Sequence, residues 1–302
     1  MAVCVVGSVN LDHVVRAPRI PGPGETILGT DVAEHPGGKG ANQAIGSGRS
    51  GAETVFVGAM GNDAAAARLL AQLRGAQVEA RVRTTEAPTG TAWITVGDDG
   101  ENVIIVVPGA NATITELTAN ERALVGRARV LLMQQEIPES AMLQAASSAA
   151  EGALVLLNAA PTREVSPDLL KLVHVLIVNE HEAADLYGSP AEAATLADAL
   201  LERVPAVVLT LGAEGSLIAV RGQEQVRIPA HRVPVVDTTG AGDAFCGALA
   251  AELDCSETAL DLRERLVAAA RFATSVSALA VQQPGAASSI PTRSAVLKAF
   301  PN

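Results

Sequence analysis

Short apolar runs alternate with alanine-rich helical stretches along most of this chain, and that alternation restricts its fold more than any other feature. The runs at residues 3–7, 54–58, 130–133, 153–158, 173–178 and 206–211 are apolar at successive positions, so both faces of each strand need cover. Helical patterns lie between them at 39–49, 63–74, 115–126, 139–150, 180–187 and 191–203. Such an order predicts an α/β fold of three layers, a mostly parallel central sheet with helices on each side. The last third adds an apolar stretch at 233–236 and two long helices at 244–253 and 258–281.

Two stretches break this rhythm. Residues 13–35 carry Pro18, Pro21, Gly22, Pro23 and Gly24, and residues 80–107 alternate as extended segments joined by the turn Gly97-Asp98-Asp99-Gly100. Both are β-rich insertions without helices. A small sheet over the mouth of an α/β domain is expected to be a lid that excludes water; a decorative appendage fits the same pattern. The expected organisation is one domain over residues 1–302, the lid (13–35 and 80–107) being inserted in a core of 1–12, 36–79 and 108–302.

Composition narrows the partners. Only 2% of residues are aromatic, too few for base-stacking platforms. The 22 basic and 33 acidic residues give a net charge of −11 without any basic run, which argues against nucleic acid and anionic membranes. Nucleotide phosphates are not excluded, because a few backbone N–H groups can hold them. Cys4, Cys246 and Cys255 lack metal or disulfide spacing and read as reduced thiols. Residues 3–7 read as a first core strand rather than a signal peptide, and no apolar run approaches the ~18 residues of a membrane span. A soluble, cytoplasmic protein is expected.

Several motifs are decoys. Gly46-Ser47-Gly48-Arg49-Ser50-Gly51 matches GxGxxG but ends a helix instead of opening one. His181-Glu182-Ala183-Ala184-Asp185 lacks the second histidine of a zinc motif. Asn111-Ala112-Thr113 is a glycosylation sequon without a secretory context. No P-loop pattern is present.

The strongest chemical signal is Asp237-Thr238-Thr239-Gly240-Ala241-Gly242-Asp243, which runs into a helix. Small residues at a helix start let a phosphate reach bare N–H groups, where the dipole adds about half a positive charge. Asp243 would then stand beside that anion hole, ready to take a proton from a hydroxyl; an ordinary turn and cap is the alternative. Gly37-Gly38-Lys39-Gly40-Ala41-Asn42-Gln43-Ala44 opens another helix, and Lys39 and Asn42 bring donors suited to sugar hydroxyls. Asn10 and Asp12 follow the first strand, where α/β proteins bind ligands, although each alone also fits an Asx turn.

With these two segments, and from Gly7-Ser8-Val9-Asn10-Leu11-Asp12 to Ser289-Ile290-Pro291, the chain resembles the ribokinase-like (phosphofructokinase-B-type) carbohydrate kinases over essentially its full length. The resemblance implies an α/β domain with a β-sheet lid that often forms a homodimer contact. It implies that Asn10, Asp12, Gly38, Lys39, Gly40, Ala41, Asn42 and Glu136 hold the sugar, with Asp243 as the base for its 5-hydroxyl. On the nucleotide side it implies Asn179, Thr210, Leu211, Gly212, Ala213, Glu214, Gly215, Gly240, Ala241, Gly242 and Thr274 for ATP. Glu182 is implied to help place Mg²⁺ through water or phosphate. K⁺ activation is implied through Asp237, Thr239, Ala280, Gln283, Gly285 and Ser289, mostly by carbonyls; Gln283-Pro284 departs from the more basic residues of relatives. The reaction implied is ATP-dependent phosphorylation of D-ribose at the 5-hydroxyl. A kinase for another small sugar or a nucleoside, and a non-catalytic sugar-binding module, are the competing readings.

Overall fold

The computed structural model describes residues 3–256 and 259–301. The chain begins with β1 (Val3–Val6), β2 (Asn10–Ala17), β3 (Asp31–Gly37), α1 (Lys39–Arg49), β4 (Thr54–Gly61) and α2 (Ala64–Gly75). It continues with β5 (Val78–Thr85), β6 (Gly90–Gly97), β7 (Asn102–Val107), α3 (Ala119–Val125), β8 (Val130–Gln134), α4 (Glu139–Ser148), β9 (Leu154–Asn158) and α5 (Pro167–Leu170). The remainder comprises β10 (Val175–Asn179), α6 (Glu180–Tyr187), α7 (Ala193–Leu201), β11 (Ala206–Thr210), β12 (Ser216–Val220), β13 (Val226–Ile228), α8 (Ala241–Cys255), α9 (Leu262–Ala280) and α10 (Arg293–Ala299).

The expected three layers are present. Among the described residues, nine strands form one sheet in the order β13-β12-β11-β10-β9-β8-β1-β4-β5, parallel except at β12 and β13. Alternate residues of each central strand enter different cores. Val3 and Val5 of β1 pack with α1, α8 and α9, whereas Cys4 and Val6 pack with the layer containing α4 and α7. This two-sided burial is why the strands read as continuous apolar runs. Strand order reverses at β1, which lies between β4 and β8. Ligands bind in open α/β sheets at the carboxyl ends of strands flanking such a reversal.

A second sheet, β3-β2-β6-β7, stands apart from the first. It starts at Asn10, earlier than the expected residue 13, so Asn10 and Asp12 lie on its strand β2. Its second segment starts at Gly90 rather than 80, because residues 80–85 belong to β5, parallel to β4 in the main sheet. As an edge strand β5 buries mainly one side, through Val78, Ala80 and Val82, which produces the alternation that resembles a separate small sheet. On β7, Ile104 and Ile105 are 54% and 62% exposed.

Other boundaries shift for local reasons. Helix α3 starts at Ala119, because Thr118 and Glu121 form a reciprocal capping box there. The expected helix start at Thr258 lies outside the described residues, and α9 begins at Leu262 behind the Asp261 cap. The stretch 233–236 is not a strand; Pro234 interrupts it, and Val235 and Val236 are exposed. The GxGxxG decoy is a helix end and turn: Ser50 N–H donates to Gly46 O at 3.0 Å, and Gly51 adopts φ 95°.

Candidate active site

Two segments 201 positions apart meet at one carboxylate. Gly240, in the left-handed region at φ 74°, ends the approach to α8; a Cβ there would lie 2.7 Å from Ala286 Cα, so only glycine fits the packing. The turn brings Asp243 into the first helical turn, where it is 8% exposed. Asn42 Nδ2 donates to Asp243 Oδ2 at 3.0 Å and Gln43 Nε2 donates to Oδ1 at 2.9 Å. Of the small-residue N–H groups, that of Ala241 is engaged by Thr238 O (3.2 Å).

Helix α1 is preceded by its capping residue Gly38, whose φ of 86° lets the chain pass against the backbone of Val9 and Asn10. Gly40 and Ala41 sit buried in the first turn beside Ser8, and Ala41 N–H donates to Ser8 O at 2.8 Å. Glu136, after the end of β8, accepts from Lys39 N–H (3.0 Å) and Ser8 Oγ (2.6 Å). Asn10 is buried and oriented by Asn111, whose Nδ2 donates to Asn10 Oδ1 at 2.8 Å. Asn111, dismissed above as part of a sequon, thus acts as a clamp at 1% exposure. Asp12 Oδ1 and Asn42 Oδ1 are buried without a hydrogen-bond partner, two acceptors ready for hydroxyl donors.

Charges converge here. Burial alone would lower the Lys39 ammonium, but the Asp243, Glu136 and Glu182 carboxylates hold it above its ordinary value, so it stays charged. Burial, reinforced by Glu136 and Asp243 and opposed by Lys39, pushes Asp12 up to about 7 from 3.8. The folded protein therefore holds a proton that the unfolded chain releases between these values. The resulting stabilisation is complete below pH ~4 and lost as pH rises through about 7. Thermal melts should find Asp12→Asn more stable than the parent by about 1–4 kcal/mol at pH 8, with the gap closing toward pH 4. A gap independent of pH would show that Asp12 does not titrate in this way.

The residues expected to face a nucleotide lie further along the same sheet edge. Asn179 and Thr210 end the neighbouring parallel strands β10 and β11 and are paired in register. Asn179 and Glu182 cap α6 reciprocally: each side chain accepts from the other's backbone N–H at 2.8 Å. Burial raises the Glu182 pKa against the pull of Asn179 N–H and Lys39. Leu211 leads into the turn Gly212–Glu214, where Ala213 and Glu214 are exposed, and Gly215 (φ 98°) turns the chain into β12. Thr274 on α9 is buried and spends its hydroxyl on Ala270 O (2.8 Å) in its own helix.

The expected cation loop is stitched together by Asp237. Its Oδ1 accepts from Thr239 N–H (2.9 Å) and its Oδ2 from Gly285 N–H (2.8 Å). Although burial opposes ionisation, these bonds keep its pKa below the ordinary value. Gln283 N–H donates to Ala280 O (3.1 Å), and Ser289 Oγ donates to Ala286 O (2.9 Å). Sequence reasoning assigned no role to Ser8, Asn111, Gln134 or Asn158, since their partners are distant in the chain; Gln43 was signalled only as a neighbour of Asn42.

The comparisons with known proteins agree with this geometry. Residues 2–293 match the pfkB family of carbohydrate kinases. A bifunctional ribokinase/ribose-5-phosphate isomerase A of Fructilactobacillus sanfranciscensis is 40% identical over 98% of this chain, which spans only 55% of that longer protein. A ribokinase of Staphylococcus aureus is 36% identical, with 96% of each chain covered. Among solved structures, Thermotoga maritima ribokinase superposes with a TM-score of 0.90 at 32% identity, covering 100% of both chains. Arabidopsis thaliana ribokinase complexed with ribose and ATP gives 0.89 at 33% identity, covering 99% of this chain and 98% of that one. The chain therefore belongs to the pfkB family of carbohydrate kinases.

Proposed function

We propose that this protein transfers the γ-phosphoryl group of ATP to the 5-hydroxyl of D-ribose, giving D-ribose 5-phosphate and ADP. One observation carries the reading: buried Asp243, at the helix start that would receive phosphate, is held by the side chain of Asn42 from the sugar-side segment. A proton acceptor and a hydroxyl-binding segment thus share one hydrogen bond. The similarity to ribokinases, including the one complexed with ribose and ATP, supports ribose as the acceptor.

In this reading the sugar lies among Asn10, Asp12, residues 38–42 and Glu136. The orphaned Asp12 Oδ1 and Asn42 Oδ1 accept from its hydroxyls, and charged Lys39 donates. A site lined by so many polar groups rejects an apolar sugar face, which would leave them unpaired. The 5-hydroxyl oxygen attacks the γ-phosphorus in line as its proton passes to Asp243. The bond from phosphorus to the β–γ bridging oxygen breaks, and ADP leaves with that oxygen. With Ala241 N–H engaged by Thr238, the Gly242 and Asp243 N–H groups at the positive end of α8 face the developing charge. Asn179, residues 210–215 and Thr274 border the nucleotide, Thr274 by its shape rather than its engaged hydroxyl.

The residues present fit both implied cations. Mg²⁺ keeps several waters and binds chiefly through phosphate oxygens, so Glu182 would serve as an outer partner, and the ion when bound would neutralise phosphate charge. The ionised Asp237, with backbone carbonyls at Thr239, Ala280, Gln283, Gly285 and Ser289, would supply an oxygen-only donor set suited to K⁺.

The small sheet is assigned as the lid of a single domain, and its exposed apolar strand β7 as the contact of a homodimer. Three cysteines without disulfides suit a cytoplasmic location, and no helix of the described residues is long and apolar enough to cross a membrane. A coupled ADP-release assay over a panel of sugars and nucleosides, with and without K⁺, tests the reading. Ribose is expected to be the best acceptor, with turnover rising on K⁺ addition. Preference for another acceptor would move the chain to a different substrate, and binding without turnover would make it a sugar-binding module. A one-chain mass under assay conditions would remove the dimer.

A further inference from the structure

A chain of carboxamides runs from Asp243 into the protein interior. Gln43 and Gln134 are 0% exposed, and Asn158 is buried beside them. Gln43 Nε2 donates to Asp243 Oδ1 and to Asn158 Oδ1, each at 2.9 Å. Gln43 Oε1 accepts from Gln134 Nε2 at 2.7 Å. Asn158 Nδ2 donates to Ile177 O at 3.2 Å, so its oxygen is the end turned toward Gln43. Each amide thereby fixes the next. A reversed Gln43 would set its carbonyl against the Asp243 carboxylate and against Asn158 Oδ1, with no proton in either contact.

The three amides come from three elements, α1, β8 and β9, of which β8 and β9 are neighbouring strands at the centre of the main sheet. They are neutral, so they add hydrogen-bond donation to Asp243 without adding charge beside Lys39, Glu136, Asp12, Glu182 and the Cys246 thiol, the titratable groups that share its surroundings. Together with Asn42 on Oδ2, Gln43 occupies one acceptor direction on each carboxylate oxygen. The carboxylate is left with one rotamer and with its remaining lone pairs for the incoming hydroxyl.

We propose that Gln43, oriented by Gln134 and Asn158, is a positioning residue for the reaction: it aims Asp243 and keeps its Oδ1 an acceptor. The proposal rests on Asp243 being the base. It predicts a specific split in the kinetics. Gln43→Met keeps the volume and removes the donor; kcat should fall about 10–100-fold while the ribose KM stays within about threefold. Gln43→Glu sets a second carboxyl against Asp243, and the acid limb of the kcat/KM profile should move up by about one pH unit or more.

A merely structural role would lower the melting temperature and leave kcat per folded molecule unchanged. Wild-type kcat in folded Gln43→Met overturns the proposal, whatever the acid limb of Gln43→Glu does, because a carboxyl at that distance repels Asp243 in either case. If these two fail to fold, Gln134→Met carries the test, because it leaves Gln43 in place but removes the donor that holds its Oε1. A several-fold loss of kcat at constant KM supports the proposal, and unchanged kcat overturns it. Asp243→Asn is run alongside. If that variant is inactive while the Gln43 and Gln134 variants are not, only the positioning role fails; if it is active, the base assignment fails and the positioning role with it.

Discussion

Asp243→Asn is expected to lower kcat by about 10²–10⁴-fold while the ribose dissociation constant stays within about threefold of the parent value. The substitution preserves size and removes the proton acceptor. It also turns one acceptor atom into a donor where both oxygens now receive N–H groups, from Asn42 and Gln43. The amide must therefore lose one of these bonds, costing about 1 kcal/mol of stability, small beside the loss of the base. Single-turnover ADP release and calorimetric ribose titration separate the two quantities. A near-parental kcat would refute Asp243 as the base. A collapse of ribose binding with kcat preserved would instead place it among the binding groups.

Gly38→Ala is expected to reduce kcat/KM by at least about 10²-fold, mainly through KM, and to cost about 2–4 kcal/mol of stability. Gly38 adopts φ 86°, and an added Cβ would lie 2.6 Å from Val9 Cα and 2.7 Å from Asn10 N. These are backbone atoms, so the clash is relieved only by moving β2 away from α1. That movement displaces Asn10 and Asp12 from Lys39, Asn42 and Glu136, enlarging the proposed sugar site. Gly75→Ala is the control, since a Cβ there meets nothing within 4 Å. Steady-state kinetics with urea melts on both variants check the prediction. A parental KM in Gly38→Ala would show that β2 can yield without disturbing the site.

Much of this architecture was readable from residue order alone, for reasons visible in particular elements. Helices α1 and α6 fall where expected because their starts are chemically marked, by Gly38 in one and by the Asn179–Glu182 pair in the other. The central strands were legible because two-sided burial confines polar residues to their ends, as at Gln134 and Asn158. Strand β5 was misread because an edge strand of a large sheet carries the same alternation as a strand of a small one. The hairpin β12–β13 went unseen, since its antiparallel return follows a glycine turn without a helical spacer. In the candidate site, local motifs mark Asp243, Lys39 and Asn42 as candidates, and the structure brings Asn42 onto Asp243. Asn111, Gln134 and Asn158 were not, because a buried amide acquires its meaning from its partner, and Asn111 finds Asn10 across 101 positions.

Strand β2 of the small sheet is separated from the end of β1 in the main sheet by only three residues, and it bears both Asn10 and Asp12. In the proposed binding mode the small sheet is thus no separate door hung beside the site, since Asn10 and Asp12 build part of the sugar's binding surface into it. Any tilt of that sheet carries Asn10 and Asp12 with it, away from the α1 residues on the opposite wall. A sugar bound to both walls, as proposed, would tie them together, and occupancy and sheet orientation would become one thermodynamic variable. Each kilocalorie by which the sugar prefers one orientation appears, by reciprocity, as a kilocalorie of affinity gained in that orientation. Departure of the phosphorylated sugar requires the same tie to be undone, so the stiffness of β2 acts on the release of product as much as on the capture of substrate.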